Sequence, residues 1–374
     1  MNISWSTHRS VFSRTILCVS LVLVACSDPT PPPPKGETIQ LPLVGRVVFQ
    51  SDRSDSLGDL WMISSDGDHL LRLTDSTTRD RCPSLSPDGN WIAFHRLSRS
   101  AAKAQVYPAL QDSLVVMRAD GTTPVAIASL ERYAAYGAFC PQWAAGSDRL
   151  LTASATEEPR VRSNQNFRVR LLDRSGSVLG SYDVGNLGVT LRGMSLSPDG
   201  ARFLASVANY STSGPPSGFR VYNMRIDGTD RQLIGDGADA TWSPTGSTIA
   251  WNCFGVCVSD VAGTGAKKIY SETTNGLPYT NSILFSRDGA FVAFDCGLPG
   301  NTRRSLCIGE VAINVVEDVP IGGIVGRVSW MDDNKTVVFE CEFDNKDICV
   351  TTRGSKTFRN ATNNLAVDAT PSAR

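Results

Sequence analysis

Ten cysteines are present, and eight of them fall between positions 82 and 349. Their spacing offers two chemistries, metal ligation or disulfide bonding. Cys253 and Cys257 bracket Phe254-Gly255-Val256, and Cys296 with Cys307 and Cys341 with Cys349 bracket later stretches in the same way. A lone Cys-x-x-x-Cys could hold a metal ion. Here no histidine lies nearby and the pattern recurs with longer gaps, so cross-links are the expected use. Cys82 and Cys140 each precede a proline and form the fourth expected pair. An even number of cross-linkable cysteines suits an oxidising compartment.

Catalytic chemistry is poorly provided for. The chain has three histidines, His8, His69 and His95. A Ser-His-Asp hydrolase needs a base aligned with a nucleophile and a carboxylate. No Gly-x-Ser-x-Gly corner is present, and Gly214-Pro215-Pro216-Ser217-Gly218 reads as a loop. Most carboxylates have structural uses: Asp88, Asp199 and Asp288 sit in Asp-Gly turns, as do Asp66, Asp120 and Asp227. Asp344, Asn345 and Asp347 are oxygen-rich enough to hold calcium, with a solvated hairpin tip as the other reading. No cofactor is expected otherwise, and the chain is read as a non-enzyme.

The elements that must position these residues are repeats. Pro83-Ser84-Leu85-Ser86-Pro87-Asp88-Gly89 leads into Trp91-Ile92-Ala93-Phe94, and the phrase returns at Ser195–Ala205, Trp242–Trp251 and Leu284–Phe294. Each copy is a strand, a tight turn and an alternating apolar strand. A unit of this kind buries its apolar face only by stacking on neighbours, which points to a β-propeller with four-stranded antiparallel blades. Counting second strands gives seven blades, at 47–49, 92–94, 150–152, 203–205, 249–251, 292–294 and 337–339. Six is the alternative, because the copies around Trp143 and Trp330 are degenerate. The N-terminal copy lacks its first strand, and Asp368-Ala369-Thr370-Pro371-Ser372 supplies one, closing the ring and removing an open sheet edge. Trp61, Trp91, Trp143, Trp242, Trp251 and Trp330 then belong between blades.

In such a blade the connection into the first strand and the one between second and third strands share a face. All four cysteine pairs map there. So do the long connections from Arg96 to Asp112, Ser154 to Asn166 and Ala208 to Gly218, which carry Arg96, Arg99, Lys103, Arg160 and Arg162. Loops on a rigid scaffold are the usual place for recognition. Arg79, Arg81, Tyr133, Tyr136 and Tyr279, in segments entering first strands, are the expected binding residues.

Leu-Ser-Pro-Asp-Gly and Ile-Ala-Phe, with Asp59-Leu60-Trp61-Met62, Asp66-Gly67 and Leu73-Thr74 around them, resemble the WD-like repeats of TolB-type propellers. The resemblance covers nearly the whole chain after residue 43. It implies a periplasmic or surface binding module and leaves the ligand open. The first residues resemble a bacterial lipoprotein signal: Arg9 and Arg14, an apolar run from Ile16 to Val24, then Leu23-Val24-Ala25-Cys26. This implies cleavage before Cys26 and acylation of its thiol, with Ser27 favouring an outer membrane. The expected organisation is a leader at 1–25, an acylated Cys26 and proline-rich tether at 26–43, and the propeller at 44–374. Formal charge is −1, and loss of Arg9 and Arg14 would make it more negative, which disfavours nucleic acid. The resulting expectation is a monomeric, lipid-anchored, extracytoplasmic propeller that binds an envelope protein, peptide or glycan. The alternative is a glycan- or peptide-acting lyase or hydrolase using carboxylates at the channel mouth.

Overall fold

The computed structural model describes residues 45–374 except 55–56, 76–77, 99–109, 133–138, 156–166, 185–189, 210–217, 272–281 and 298–303. Seven four-stranded antiparallel sheets are formed, each built from consecutive strands except the first. Blade 1 runs from an inner Asp368–Ala373 through Arg46–Ser51 and Asp59–Ser64 to Leu71–Arg72. The inner strands of blades 2 to 7 are Thr78–Leu85, Gln142–Trp143, Thr190–Leu196, Ala238–Trp242, Ile283–Phe285 and Ile324–Trp330. Consecutive blades pack on each other, and blade 7 packs on blade 1.

The count of seven replaces the six-bladed alternative, and the two degenerate copies show why it arose. The Pro-Asp-Gly turn needs a residue in the left-handed region, which Gly89, Gly200, Gly246 and Gly289 supply. In blades 3 and 7 Ser147 (φ 58°) and Asn334 (φ 55°) take that position without glycine. The turn is otherwise held by side chains. Ser86 Oγ accepts from Trp91 N, and Asp88 Oδ1 accepts from Asn90 N. Ser197 and Asp199 repeat this with Arg202 and Ala201, as do Ser286 and Asp288 with Phe291 and Ala290. In blade 7 Asp333 accepts from Lys335 N and Thr336 N.

The alternating second strand supplies the inter-blade core. Phe49, Phe94, Phe294 and Phe339 are fully buried at the same repeat position, each worth roughly 1.5–3 kcal/mol. Trp61, Trp242, Trp251 and Trp330 are buried, while Trp91 and Trp143 are half-buried. Trp91 has Arg118 and Arg174 over its ring at 5.0 and 4.5 Å.

A second layer of polar contacts ties inner strand to inner strand. Ser372 Oγ accepts from Leu85 N, Gln142 Oε1 from Leu196 N, and Ser329 Oγ from Ala373 N. Where the inner residue is Trp143 or Trp330, its indole N–H donates to Ser84 O or Leu284 O of the preceding blade. Where the phrase is complete, it supplies both the turn and the apolar strand that packs between blades.

Ring closure uses both extremities of the described chain. Val47 pairs with Ala373, Val48 with Ser372, Gln50 with Ala369 and Ser51 with Asp368. Gly45 N donates to Arg374 O, and Arg374 N donates to Arg46 O. Arg53 then bonds the fully buried Asp368 at 2.7 Å.

Candidate functional site

The face carrying the second-to-third connections and the entries into inner strands is stapled by all four disulfides. Cys253–Cys257, Cys296–Cys307 and Cys341–Cys349 each lie within one blade. Their geometry is shared: the residue directly opposite the later cysteine is Trp251, Phe294 or Phe339, two positions before the earlier one. The bond therefore runs along the sheet diagonal, between side chains on one face. Cys82–Cys140 is different. It joins the segments leading into the turns of blades 2 and 3, with Cα atoms 5.0 Å apart.

Beside that bond the inner strands share an irregularity. Register shifts fall between Arg81 and Ser84, Leu191 and Gly193, Ala238 and Thr241, and Val325 and Val328. A β-bulge re-aims the side chain at its extra residue. Cys82, Asp239 and Thr370 sit there with φ of 57°, 50° and 55°. Arg327 holds the equivalent place in blade 7. Cys82, Asp239 and Arg327 each stand four positions before the first residue of the following turn, and Thr370 stands at the corresponding bulge of the closing strand, so they form one ring of positions around the channel.

Two of these residues put charge at the mouth. Asp239 is half-buried with Arg192 as its charged neighbour; burial pushes its carboxyl up to about 6, against the opposing pull of Arg192. Arg327 is exposed; the protein packed around it lowers its pKa by desolvation, partly offset by Glu340. Its Nη1 lies against Cys140 Sγ across the ring. Glu340 Oε1 accepts from Thr370 N at 2.6 Å, which caps the bulge of the closing strand.

The raised carboxyl has a testable consequence. Asp239 titrates near 6 when folded and near 3.8 when unfolded, so the fold takes up a proton between those values. Its contribution is therefore neutral well below pH 4, grows increasingly unfavourable as pH rises from about 4 to 6, and stays at its full penalty above that. Asp239→Asn is expected to stabilise the protein at pH 7.5 by as much as about 3 kcal/mol, and to have little effect at pH 4. Urea titrations at the two pH values check this; an equal effect at both would contradict it.

Behind the mouth, aspartates are buried against arginines. Arg96 forms a two-pronged contact to Asp80 at 2.8 Å on each oxygen. Arg72 bonds Asp59, and Arg304 bonds Asp295. This corrects the reading of Arg96 as a cation on a long free loop. The second strand of blade 2 continues through Trp91–Ser98, and Arg96 is bound within it.

Arg79 and Arg81 are half-buried on the inner strand of blade 2, opposite Leu97 and His95. Tyr133, Tyr136, Tyr279, Arg99, Lys103, Arg160, Arg162 and Cys26 lie outside the described residues. The oxygen-rich hairpin is engaged with protein groups. Asn345 Nδ2 donates to Asn364 O and Ala366 O, and Asp347 accepts from Asn360 and Thr362. Those contacts serve the loop before the closing strand. Among the described residues no group of three or more His, Cys, Asp or Glu side chains is placed to hold a metal ion. His95 is buried beside the mouth, while His69 is exposed in a turn of the opposite face.

The Asn345 bracket also presents apolar side chains. Phe343 lies one residue beyond Glu342, which pairs with Ile324, and Leu365 sits between the two carbonyls that Asn345 binds. Val367 N is held by Asp52. Ile324, Phe343, Leu365 and Val367 are all exposed, Leu365 completely. Sequence reasoning missed this patch, and it missed Asp239 and Arg327. Aligning the inner strands on the turn would have placed both charged residues in the column of Cys82 and Cys140.

No protein-family model matches the sequence, and no curated protein matches it. Among solved structures, TolB from Acinetobacter baumannii aligns over 88% of this chain and 66% of its own, at 14% identity and TM-score 0.49. An oligogalacturonate lyase in complex with manganese aligns over 85% of each chain, at 11% identity and TM-score 0.54. Acylaminoacyl peptidase from Pyrococcus horikoshii aligns over 85% of this chain and 50% of its own, at 13% identity and TM-score 0.53. The chain thus spans about two thirds of that TolB and half of that peptidase. Likeness at these identities concerns the fold alone. By its sheets and closure the chain is a seven-bladed β-propeller.

Proposed function

We propose that this propeller is a non-catalytic binding or scaffold module, held outside the cytoplasm by an acylated Cys26, and that it engages an envelope protein, peptide or glycan through its disulfide-bearing face. The observation that carries this reading is that four large apolar side chains on neighbouring connections of that face, Ile324, Phe343, Leu365 and Val367, are all exposed. Exposed apolar side chains gathered on one face of a folded protein mark interaction surfaces. The channel mouth beside it adds the half-buried Asp239 and the exposed Arg327. Arg79, Arg81, Tyr133, Tyr136 and Tyr279 would extend the contact around the ring. No helix of the described residues is long and apolar enough to cross a membrane, and a lipid anchor needs none.

Apolar exposure favours a protein or peptide over a glycan. The test is capture from detergent-solubilised envelope by immobilised propeller. The double variant Phe343→Ser/Leu365→Ser is expected to lose at least about tenfold of what the native chain retains, as hot-spot truncations of about 1.4 kcal/mol or more do. Arg202→Ala, on the turn-bearing face, is expected to retain it. Loss in Arg202→Ala with retention in the patch variant would overturn the reading.

A further inference from the structure

The turns that end the inner strands form the rim of the channel on the face away from the disulfides. Their second residue is Pro87, Pro198 or Pro244 in three of the blades. Pro198 and Pro244 lie against Gly246 and Gly289 of the next blade, so a side chain at this position runs along the rim. In blades 6 and 7 the position holds Arg287 and Asp332 instead. Charge is thereby drawn from successive blades to one stretch of rim.

Arg287 Nη2 donates to Ala373 O of blade 1 at 3.0 Å, and its Nε passes Asp332 Oδ1 at 3.4 Å. Arg374, next after the closing strand, donates Nε to both oxygens of Asp332 at 3.1 Å and Nη1 to Ser86 O of blade 2. Arg46, also of blade 1, donates Nη2 to Gly89 O at 2.8 Å. It is 7% exposed, and its Nε has no partner among the described residues. The protein packed around Arg46 and Arg287 lowers both pKa values by desolvation, and the charge of Arg374 lowers them further; Asp332 opposes this at Arg287. The nearby turn aspartates Asp88, Asp288 and Asp333 accept from the amides of Asn90, Ala290 and Lys335. Counting the main-chain carboxyl of Arg374 with Asp332, three guanidiniums face two carboxylates. Enclosed charge is costly unless a counter-charge joins it.

An anion can reach this stretch. Arg287 and Asp332 are exposed and Arg374 is half-buried. Arg287 Nη1 and Arg374 Nη2 have no acceptor among the described residues. We propose that this rim binds phosphate, either the free ion or the monoester end of a small molecule. The forks of Arg287 and Arg374 take its oxygens, since guanidinium donors match phosphate oxygens in pairs. Arg46 acts from beneath through its charge and makes no contact. A phosphate group brings more charge and more acceptor oxygens than a carboxylate does. Bound there, it would bridge blade 6 to blade 1 and brace the ring where it closes. The site lies on the face opposite the apolar patch, and neither inference rests on the other.

Equilibrium dialysis of the native chain against radiolabelled phosphate, at neutral pH and fixed ionic strength, tests this. Saturable binding at one site is expected, with acetate at least about tenfold weaker as a competitor. Arg287→Gln is expected to weaken phosphate binding at least about tenfold. Asp332→Asn is expected to tighten it several-fold by removing the competing carboxylate, a gain that a merely structural Asp332 would not give. Glycerol 3-phosphate as a competitor separates the two sources: stronger displacement than by unlabelled phosphate assigns a phosphorylated molecule, weaker displacement the free ion. No saturable binding to the native chain, acetate competing as well as phosphate, or unchanged affinity in Arg287→Gln would overturn the proposal. The first two outcomes are read on the native chain, so they decide even if a variant does not fold.

Discussion

A chain ending at Val367 is expected to lose cooperative folding. Removal of 368–374 takes away the inner strand of blade 1 and with it every pairing to Arg46–Ser51 on that side. It uncovers Val47 and Phe49, which pack with Ala373 against Val338, Ile348 and Val350 of blade 7. It also leaves Arg53 without Asp368 and Leu85 N without Ser372. Burial of a single Val or Phe is worth roughly 1.5–3 kcal/mol, so two or three such losses approach the whole stability of an ordinary domain, about 5–15 kcal/mol. The remaining strand edge would be open and prone to pair with other chains. Near-ultraviolet circular dichroism, a thermal melt and size-exclusion chromatography check this. A truncated monomer with a native melting temperature would contradict it.

The second large effect concerns the inter-blade disulfide. On the chain-entropy model, the loop closed by Cys82–Cys140 is worth about 4 kcal/mol, against about 2 for the short loop of Cys253–Cys257. Cys82→Ala/Cys140→Ala is therefore expected to lower the midpoint of urea unfolding by about twice as much as Cys253→Ala/Cys257→Ala. The difference lies in the unfolded state. Cys82–Cys140 restrains 58 positions of chain, while Cys253–Cys257 spans a hairpin whose strands are held together by their own ladder. Equal losses for the two pairs would show that native packing near Arg327, rather than loop closure, decides the value.

Much of the architecture was legible because each repeat states it several times. Ser-Pro-Asp-Gly encodes a turn whose serine and aspartate cap local amides, and Ile-Ala-Phe encodes a strand buried on both sides. The cysteine pairs could be read because they recur on one connection in three successive blades. Copies with weaker phrases were harder. Ser147 and Asn334 adopt the left-handed turn position without the glycine that announces it. The functional face was much less legible. Whether Asp239 or Arg327 points into the channel depends on a bulge, and the bulge residues are Cys, Asp, Arg and Thr, which share no local signal. Arg96 looked like a loop cation because its partner Asp80 lies sixteen residues away on another strand, and only the register unites them. The apolar patch on blade 7 depends on Asn345 drawing in the loop at 364–366, a contact between separate connections that no pattern of spacing reveals.

The claim that matters most for function is that the stapled face is the one in use. Hydroxyl-radical footprinting of the protein in intact envelopes, set against the purified chain, measures this whatever the partner is. Ile324, Phe343, Leu365 and Val367 are expected to be shielded several-fold in the envelope, while Val178, Leu179 and Ile313, exposed near the opposite face, label equally in both. Shielding of the second set with full labelling of the first would place the working surface on the other side of the ring and contradict the account.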